Sequence, residues 1–224
     1  DSFKSETVVI GSMRYWHTVA TSCLLVTDTN LDGHVKKRQN TVHLQTKHGT
    51  PLKHMGIDNR GKPLHKMNWA RFANRCRRWD YVLSSNPYSS KVWRQGFPYA
   101  YKMLELGYPR NDIFFTASQS DIKRIRGAIG VAPGKKVALY APTFKDYNRV
   151  EGFSPDISFD DMREALGDDY VLLLRAHQFA ETTSTEGAGK DSSIIDVSGY
   201  PATNELCLIS DILITDYSSI MFDY

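Results

Sequence analysis

The feature that most restricts the fold of this chain is a repeated alternation of short apolar segments with segments of helical periodicity. Strands that alternate with helices are typical of parallel sheets with helices packed on their faces. The sequence therefore predicts an α/β fold. Strands are predicted at residues 6–10, 23–27, 41–46, 79–84, 136–141, 170–174, 194–197 and 211–215, and helices at 13–21, 66–79, 88–95, 122–129, 160–166 and 203–209.

Residues that can carry chemistry are concentrated directly after these strands. In open parallel sheets, ligands bind outside the carboxyl ends of the strands. The positions concerned are His48-Gly49-Thr50, Asn86, Thr143, Arg175-Ala176-His177 and Asp216-Tyr217-Ser218-Ser219. Their common place in the predicted fold indicates function more strongly than any single motif does.

The first of these positions belongs to the segment 47–53, which reads KHGTPLK. Gly49 and Pro51 break the preceding strand, and we expect the break to expose an imidazole, a hydroxyl, two ammonium groups and backbone N–H donors. Such groups can bind an anion and move a proton. Taken alone, a His-Gly pair is better explained as a polar turn. The histidines with no such setting are assigned no role: His17, His34, His43, His54 and His65.

The second half of the chain offers weaker anion sites. Asp216-Tyr217-Ser218-Ser219, between a strand and a helix, is suited to a phosphate, although it is equally compatible with an ordinary helix cap. Arg175 and His177 could clamp a diphosphate, or the arginine could pair with surface carboxylates. Thr143 and Lys145 repeat the pattern after Pro142.

The charge of the chain is unevenly distributed. Residues 1–150 carry 25 Lys and Arg against 10 Asp and Glu, whereas residues 151–224 carry 3 against 15. Residues 34–78 have 12 basic side chains and one acidic side chain, Asp58. A run of this kind can be a solvated face, but this excess favours an anionic polymer or an anionic membrane surface as a partner.

Composition narrows the class of protein further. No apolar run approaches the length of a membrane span, and we expect no signal peptide, because the first residues do not have the pattern of one. Cys23, Cys76 and Cys207 are far apart and lack metal-ligand spacing, which indicates a reducing compartment and no zinc site.

Because the chain starts without methionine and stops within an apparent helix start, we expect a fragment that is truncated at both ends. We place a domain boundary near residue 116.

Six ordered motifs give the chain a family resemblance. They are His48-Gly49-Thr50-Pro51-Leu52-Lys53, Ser85-Asn86-Pro87-Tyr88, Gly107-Tyr108-Pro109-Arg110-Asn111-Asp112, Tyr140-Ala141-Pro142-Thr143, Arg175-Ala176-His177 and Thr215-Asp216-Tyr217-Ser218-Ser219. In these motifs the chain resembles the CDP-glycerol glycerophosphotransferases, the teichoic acid polymerases and primases of bacterial walls. The resemblance implies the GT-B architecture of two Rossmann-like domains. Residues 1–115 would form the acceptor-side domain and residues 116–224 the nucleotide-donor domain, both incomplete.

The resemblance also implies an activity. Glycerol phosphate would pass from CDP-glycerol, or ribitol phosphate from CDP-ribitol, to a hydroxyl of a lipid-linked polyol-phosphate chain, with release of CMP. The enzyme would work without a cofactor or an obligatory metal, would not bind nucleic acid, and would act in the cytoplasm at the inner face of the cell membrane. A sugar-nucleotide GT-B glycosyltransferase and a non-catalytic module that binds nucleotide or anionic polymer remain as alternatives.

Site residues follow from the resemblance position by position. His48 is the candidate general base and His177 the second catalytic histidine. The candidate substrate-binding residues are Gly49, Thr50, Lys53, Asn86, Arg110, Thr143, Lys145, Arg175, Asp216, Ser218 and Ser219. Two positions depart from the family pattern. Lys47 stands where the family usually has tryptophan, and Phe144-Lys145 stand where it usually has Trp-Arg.

Overall fold

The computed structural model describes residues 5–59, 68–143, 157–175 and 193–224. The chain divides into two compact units, Asp1–Tyr108 and Pro109–Tyr224. This division falls before the boundary near residue 116, because the turn at Pro109–Asn111 bonds to later parts of the second unit: Asn111 donates to Asp223 and accepts from Asn204.

The first unit contains one parallel sheet in the order β1-β2-β3-β4. Leu24 pairs with Val42, Leu44 with Tyr81, and Tyr81 with Lys102. The elements in chain order are α1 (Met13–Thr21), β1 (Leu24–Thr27), β2 (Val42–Gln45), a 3-10 turn (Gly56–Asp58), α2 (Trp69–Cys76), β3 (Tyr81–Ser84), α3 (Pro87–Gly96) and β4 (Lys102–Glu105).

The core of the first unit is largely aromatic. Trp79, Trp93 and Phe97 are 3%, 2% and 8% exposed, and they pack with Phe72 and Cys76 of α2. Burying each large side chain contributes about 1.5–3 kcal/mol relative to leaving it in water. The ring of Phe97 lies 5.4 Å from that of Trp79 and 6.0 Å from that of Trp93. This cluster lies beneath the turn that follows β2.

The second unit contains a parallel sheet in the order β7-β6-β5-β8. The central strands are buried on both faces: Leu139 and Leu173 pack on one side, and Tyr140 and Leu174 on the other. Its elements in chain order are a 3-10 turn (Pro109–Asn111), α4 (Ile113–Thr116), α5 (Gln119–Ile129), β5 (Lys136–Tyr140), α6 (Phe159–Leu166), β6 (Tyr170–Leu174), β7 (Ile194–Asp196), α7 (Thr203–Ile209), β8 (Ile212–Ile214) and α8 (Ile220–Asp223).

Two strand predictions and one helix start were wrong. Residues 6–10 form no strand, and Val9 and Ile10 are 77% and 83% exposed, so this apolar run neither pairs nor becomes buried. Strand β4 was missed because its pattern, Lys102-Met103-Leu104-Glu105, is short and has polar ends. Helix α5 begins earlier than the predicted residue 122, because Ser118 caps it in a reciprocal capping box with Asp121.

One arginine of the basic stretch 34–78 is buried. Phe72 and Cys76 form the buried side of α2, and Arg78, which follows this helix, is only 7% exposed. The Arg78 guanidinium donates to the carbonyl oxygens of Asp32 at 2.7 Å and Val35 at 3.1 Å. Among the residues that the structure describes, no helix combines the length and apolar character needed to cross a bilayer.

Candidate functional site

His48 lies in the turn that follows β2, at the carboxyl edge of the first sheet. Its side chain is exposed, whereas Lys47 before it and Gly49 after it are buried. Both neighbours have a positive φ, 58° at Lys47 and 147° at Gly49. The left-handed angle at Lys47 reverses the chain, so that the lysine side chain enters the core and the imidazole is presented at the surface.

The imidazole has one backbone contact. His48 Nδ1 lies 3.4 Å from the carbonyl oxygen of Asp28, which follows β1. In the tautomer with the proton on Nδ1, this nitrogen can donate to Asp28 and leave the lone pair of Nε2 available. That is the arrangement required to accept a proton from a hydroxyl. The turn can therefore supply a general base at the sheet edge.

The rest of the motif fastens this turn to the neighbouring strand and loop. Thr50 is 5% exposed, and its hydroxyl lies 3.4 Å from that of Ser85, directly after β3. The Tyr108 hydroxyl donates to the carbonyl oxygen of Gly49 at 3.0 Å. The prediction of an exposed hydroxyl at Thr50 was wrong, because this side chain faces the loop that it holds.

Asn86 begins helix α3. Its Oδ1 accepts from the backbone N–H of Ser89 at 2.8 Å, and its Nδ2 donates to the hydroxyl of Ser85 at 3.1 Å. Pro87 occupies the first helical position, where its missing N–H has no helical partner to lose. The carboxamide therefore stabilises the helix start beside the His48 turn, and its contact with substrate stays a prediction.

The two lysines of the motif differ in their surroundings. Lys53 is exposed, as expected. Lys47 is 7% exposed, and its ammonium group lies over the aromatic core. The prediction of two exposed ammonium groups was therefore wrong for Lys47, because the left-handed turn directs this side chain inward.

In the second unit, Thr143 and Asp216 join the loops after β5 and β8. The Asp216 carboxylate accepts from the backbone N–H of Thr143 at 3.0 and 3.1 Å, and also from the Thr143 hydroxyl. Next to this pair, the Thr215 hydroxyl donates to the carbonyl oxygen of Ala141 at 2.6 Å. The structure thus brings together two of the predicted site residues at the carboxyl edge of the second sheet.

Ser218 and Ser219 lie at the start of α8, and both are half-buried. The backbone N–H of Ile220 donates to the Ser218 hydroxyl across 3.5 Å, which is a long contact. Ser219 is the capping residue, but its side chain makes no capping hydrogen bond. The Ser219 hydroxyl is therefore not used in the manner of an ordinary helix cap.

The two predicted arginines are held by groups of the protein. Arg175 Nη1 donates to the carbonyl oxygens of Val197 at 3.1 Å and Tyr200 at 2.7 Å. Arg110 Nη2 donates to both oxygens of Asp223, at 3.2 and 3.0 Å. Burial lowers the pKa of Arg175 from its ordinary value. Arg175 thus stabilises the segment between β7 and α7, and Arg110 joins the turn Pro109–Asn111 to helix α8. Contact of either arginine with a substrate stays a prediction.

These features agree with what comparison with known proteins found. A family model described as CDP-Glycerol:Poly(glycerophosphate) glycerophosphotransferase matches residues 2–224. The chain belongs to this family. The family prediction made from the six motifs is therefore confirmed.

Relatives and solved structures extend this result. This chain is 37% identical, over 98% of its length, to the teichoic acid poly(glycerol phosphate) polymerase of Staphylococcus epidermidis, of which it covers 32%. It is 37% identical, over 95% of its length, to the teichoic acid glycerol-phosphate transferase of Staphylococcus aureus, of which it covers 57%. A histidine-to-asparagine variant of the wall teichoic acid polymerase TagF, soaked with CDPG, matches with a TM-score of 0.87 and 35% identity over 99% of this chain and 56% of that chain.

The chain therefore spans about one third to just over half of the length of these relatives. The predicted fold class, α/β with two Rossmann-like parallel sheets, is confirmed. With TagF as the matching structure, the GT-B assignment of this chain is confirmed as well.

Two predicted site residues, Lys145 and His177, lie outside the described residues. Sequence reasoning missed the contribution of Tyr108, although this residue stands in one of the six motifs. It also missed the aromatic box around Lys47, which is formed by the rings of Trp79, Trp93 and Phe97. The spacing of Trp93 and Phe97, four residues apart on a helix and therefore on one face, was a signal that could have found part of this box.

Proposed function

We propose that the protein containing this chain transfers glycerol phosphate from CDP-glycerol to a hydroxyl of a lipid-linked teichoic acid or related polyol-phosphate chain. Membership of the glycerophosphotransferase family supports this activity. The observation that carries the proposal is the exposed His48 at the carboxyl edge of the first sheet, with Nδ1 next to the Asp28 carbonyl oxygen.

In this mechanism, Nε2 of His48 takes the proton of the acceptor hydroxyl as its oxygen attacks the β-phosphorus of the donor. The bond between that phosphorus and the bridging oxygen breaks, and CMP leaves with the oxygen. The new phosphodiester joins glycerol phosphate to the acceptor. Phosphoryl transfer depends mainly on positioning and on stabilisation of charge. One general base and a set of hydrogen-bond donors to the phosphate oxygens therefore suffice for this reaction.

The second unit is the proposed donor site. The hydroxyls of Ser218 and Ser219, half-buried at the start of α8, are suited to phosphate oxygens. Thr143 and Asp216 hold the neighbouring loops in place. We assign donor-phosphate contacts to His177, Lys145 and Arg175 from the family resemblance alone.

The test is the release of CMP from the full-length protein, with a lipid-linked acceptor and a panel of CDP-glycerol, CDP-ribitol and UDP-sugars. The proposal predicts turnover of CDP-glycerol and none of the UDP-sugars. Turnover of a UDP-sugar without turnover of CDP-glycerol would show a glycosyltransferase. Tight binding of CDP-glycerol without release of CMP would show a non-catalytic module.

We also propose that the protein acts in the cytoplasm as a peripheral protein on the anionic inner face of the membrane. A cavity of about 530 Å³ lies between the loop 31–34 and α2, and Arg71, Arg75 and Arg78 contribute to its lining. Arg71 and Arg75 form no ion pair with any described residue. Each lysine or arginine near an anionic bilayer contributes on the order of 1 kcal/mol to binding.

Other basic side chains of the stretch 34–78 are less available for contact with lipid phosphates than the sequence indicates. Lys37 pairs with Asp80, and Arg38 donates to the carbonyl oxygen of Thr21 at 2.7 Å. Like Arg78, these two side chains are bonded to groups of the first unit and stabilise it. The proposed contact with lipid phosphates therefore rests on Arg71 and Arg75, supplemented by Lys36, which is exposed.

A further inference from the structure

Lys47 is a buried cation that the mechanism above does not use. Its Nζ lies 3.9 Å from the ring centroid of Trp79, 4.7 Å from that of Trp93 and 3.9 Å from that of Phe97. The three rings are themselves almost fully buried. An ammonium group is attracted by the negative face of an aromatic ring, and the attraction is stronger where water is excluded.

This ammonium group forms no ion pair with a carboxylate in the part of the chain that the structure describes. The charged or titratable groups that face it are Arg75 and Cys76 of α2. Burial raises the pKa of Cys76 to about 11, so its thiol is neutral, and Arg75 repels the ammonium. The other side chains over which it lies are the three uncharged rings: Trp79 between α2 and β3, Trp93 on α3, and Phe97 at the end of α3. The rings are therefore the groups that hold this cation.

The backbone of Lys47 determines the direction of the chain at His48. Its φ of 58° is in the left-handed region, which a residue other than glycine adopts only when contacts hold it there. The backbone N–H donates to Gln45 Oε1 at 2.9 Å, and the carbonyl oxygen accepts from the Thr46 hydroxyl at 3.1 Å. The aromatic box fixes the side chain on the same turn.

We propose that Lys47 is a positioning residue for the transfer reaction: the rings of Trp79, Trp93 and Phe97 hold its ammonium group, and this contact maintains the left-handed turn that presents His48. The inference rests on the proposed function because it takes His48 as the general base. Lys47 itself touches no reacting atom. It acts through the conformation of its neighbour.

The contact depends on the charge of the amino group. Burial lowers the pKa of Lys47 to about 7, while the ring faces favour the cation. As the pH rises through the pKa of Lys47, the neutral amine forms and the cation–π attraction is lost. Positioning of His48 should therefore weaken toward alkaline pH.

The first test compares Lys47→Met with the wild type in the full-length enzyme. Methionine keeps the length of the side chain and removes the charge. We expect kcat at pH 6.5 to fall about tenfold, since small displacements of a catalytic group lower rates by about that much or more, while the KM for CDP-glycerol stays within about twofold. The ratio of the two kcat values should approach one as the pH rises. Lys91→Met, at an exposed position of α3, is the matched control. A Lys47→Met enzyme with wild-type kcat and the same pH profile would overturn the inference.

The second test does not depend on turnover. NMR of the full-length protein with labelled lysine ε-carbons and histidine rings should show the His48 ring signal shifting at the pH at which the Lys47 signal titrates. In Lys47→Met this shift should be absent. A wild-type His48 signal that does not respond at the Lys47 midpoint would overturn the inference, even if the variant did not fold. Coupled NMR signals without any release of CMP would instead overturn the proposed function and leave the positioning of His48 supported.

Discussion

The carboxylate of Asp216 accepts hydrogen bonds from both the backbone N–H and the hydroxyl of Thr143. The two residues follow neighbouring strands, β8 and β5, which pair in parallel through Ile214 and Tyr140. One carboxylate thus fixes the relative position of two loops at the carboxyl edge of the second sheet, where the fold places ligands.

Asp216→Ala should destabilise this edge. The substitution leaves the N–H and hydroxyl of Thr143 without their acceptor, and a buried unsatisfied donor costs about 1–3 kcal/mol. Since the pair is half-buried, we expect a loss near the lower end of that range. Urea unfolding of the full-length protein measures it, with Glu164→Ala on the exposed face of α6 as the control. Equal unfolding midpoints for the two variants would contradict the structural role of Asp216.

Ser218→Ala and His177→Ala should weaken binding of the donor. Both residues are assigned to phosphates and neither to the base, so the affinity for CDP-glycerol should fall while that for cytidine stays the same. Loss of one hydrogen bond to a charged group corresponds to about 1.5–3 kcal/mol, or roughly 10- to 150-fold in Kd. Dissociation constants for cytidine, CMP and CDP-glycerol measure the effect. Equal losses for all three ligands would show that the residues support the fold and make no phosphate contact.

His43 should make stability dependent on pH. It is 1% exposed on β2, and burial, followed by the charges of Arg78 and Lys37, lowers its pKa to about 4. The unfolded chain, with a pKa of about 6.5, binds more protons than the folded chain between these values. Stability from His43 is therefore fully present above about pH 6.5 and is lost as the pH falls to about 4, by about 3 kcal/mol in total.

The variant His43→Gln tests this pH dependence. It should flatten the stability profile between about pH 4 and 6.5 while keeping a polar group near the Thr27 hydroxyl, which lies 2.9 Å from His43 Nε2. Free energies of unfolding across that range measure the slope. A slope that is the same in the wild type and in His43→Gln would mean that other groups cause the acid destabilisation.

We expect two arginines of α2 to bind the membrane and Arg78, which follows this helix, to stabilise the fold. The double variant Arg71→Gln, Arg75→Gln should weaken sedimentation with anionic vesicles at low salt. Turnover of a short soluble acceptor should be kept at pH 6.5, because loss of the Arg75 charge favours the charged form of Lys47. Binding should also fall as salt is raised, because the interaction is screened over about 8 Å at physiological ionic strength. Arg78→Gln should instead lower the melting temperature, because it removes donors from the carbonyl oxygens of Asp32 and Val35. Vesicle binding that ignores both salt and the double variant would contradict the proposed membrane surface.

Much of the fold could be predicted because the central strands of the second unit are buried on both faces. The segment at 170–174 is apolar throughout and became β6 with the predicted bounds, Tyr170–Leu174. The apolar run at 6–10 looked similar, but Val9 and Ile10 are exposed. A strand depends on a partner as well as on its own residues, and the pattern of one segment does not reveal whether a partner is present.

The bonding partners of individual side chains were harder to predict than the strands and helices. Sequence indicates that Arg175, Arg110 and Lys47 are cations near strand ends or within site motifs, and each could serve a phosphate. The structure shows two of them bonded to carbonyl or carboxylate oxygens and the third over aromatic rings. These partners come from distant parts of each unit, so only tertiary packing decides between a ligand-binding role and a structural one. The exposure of the His48 side chain was easier to predict, because the nearby Gly49 and Pro51 leave few ways to bury the ring.

The central claim is that His48 is the general base, and the most direct measurement is the rate of CMP release by His48→Ala in the full-length protein. A general base contributes roughly 10²- to 10⁴-fold in rate, so we expect a loss of that size, with the fold and the Kd for CDP-glycerol almost unchanged. A variant that kept more than about a tenth of wild-type turnover would contradict the assignment of His48.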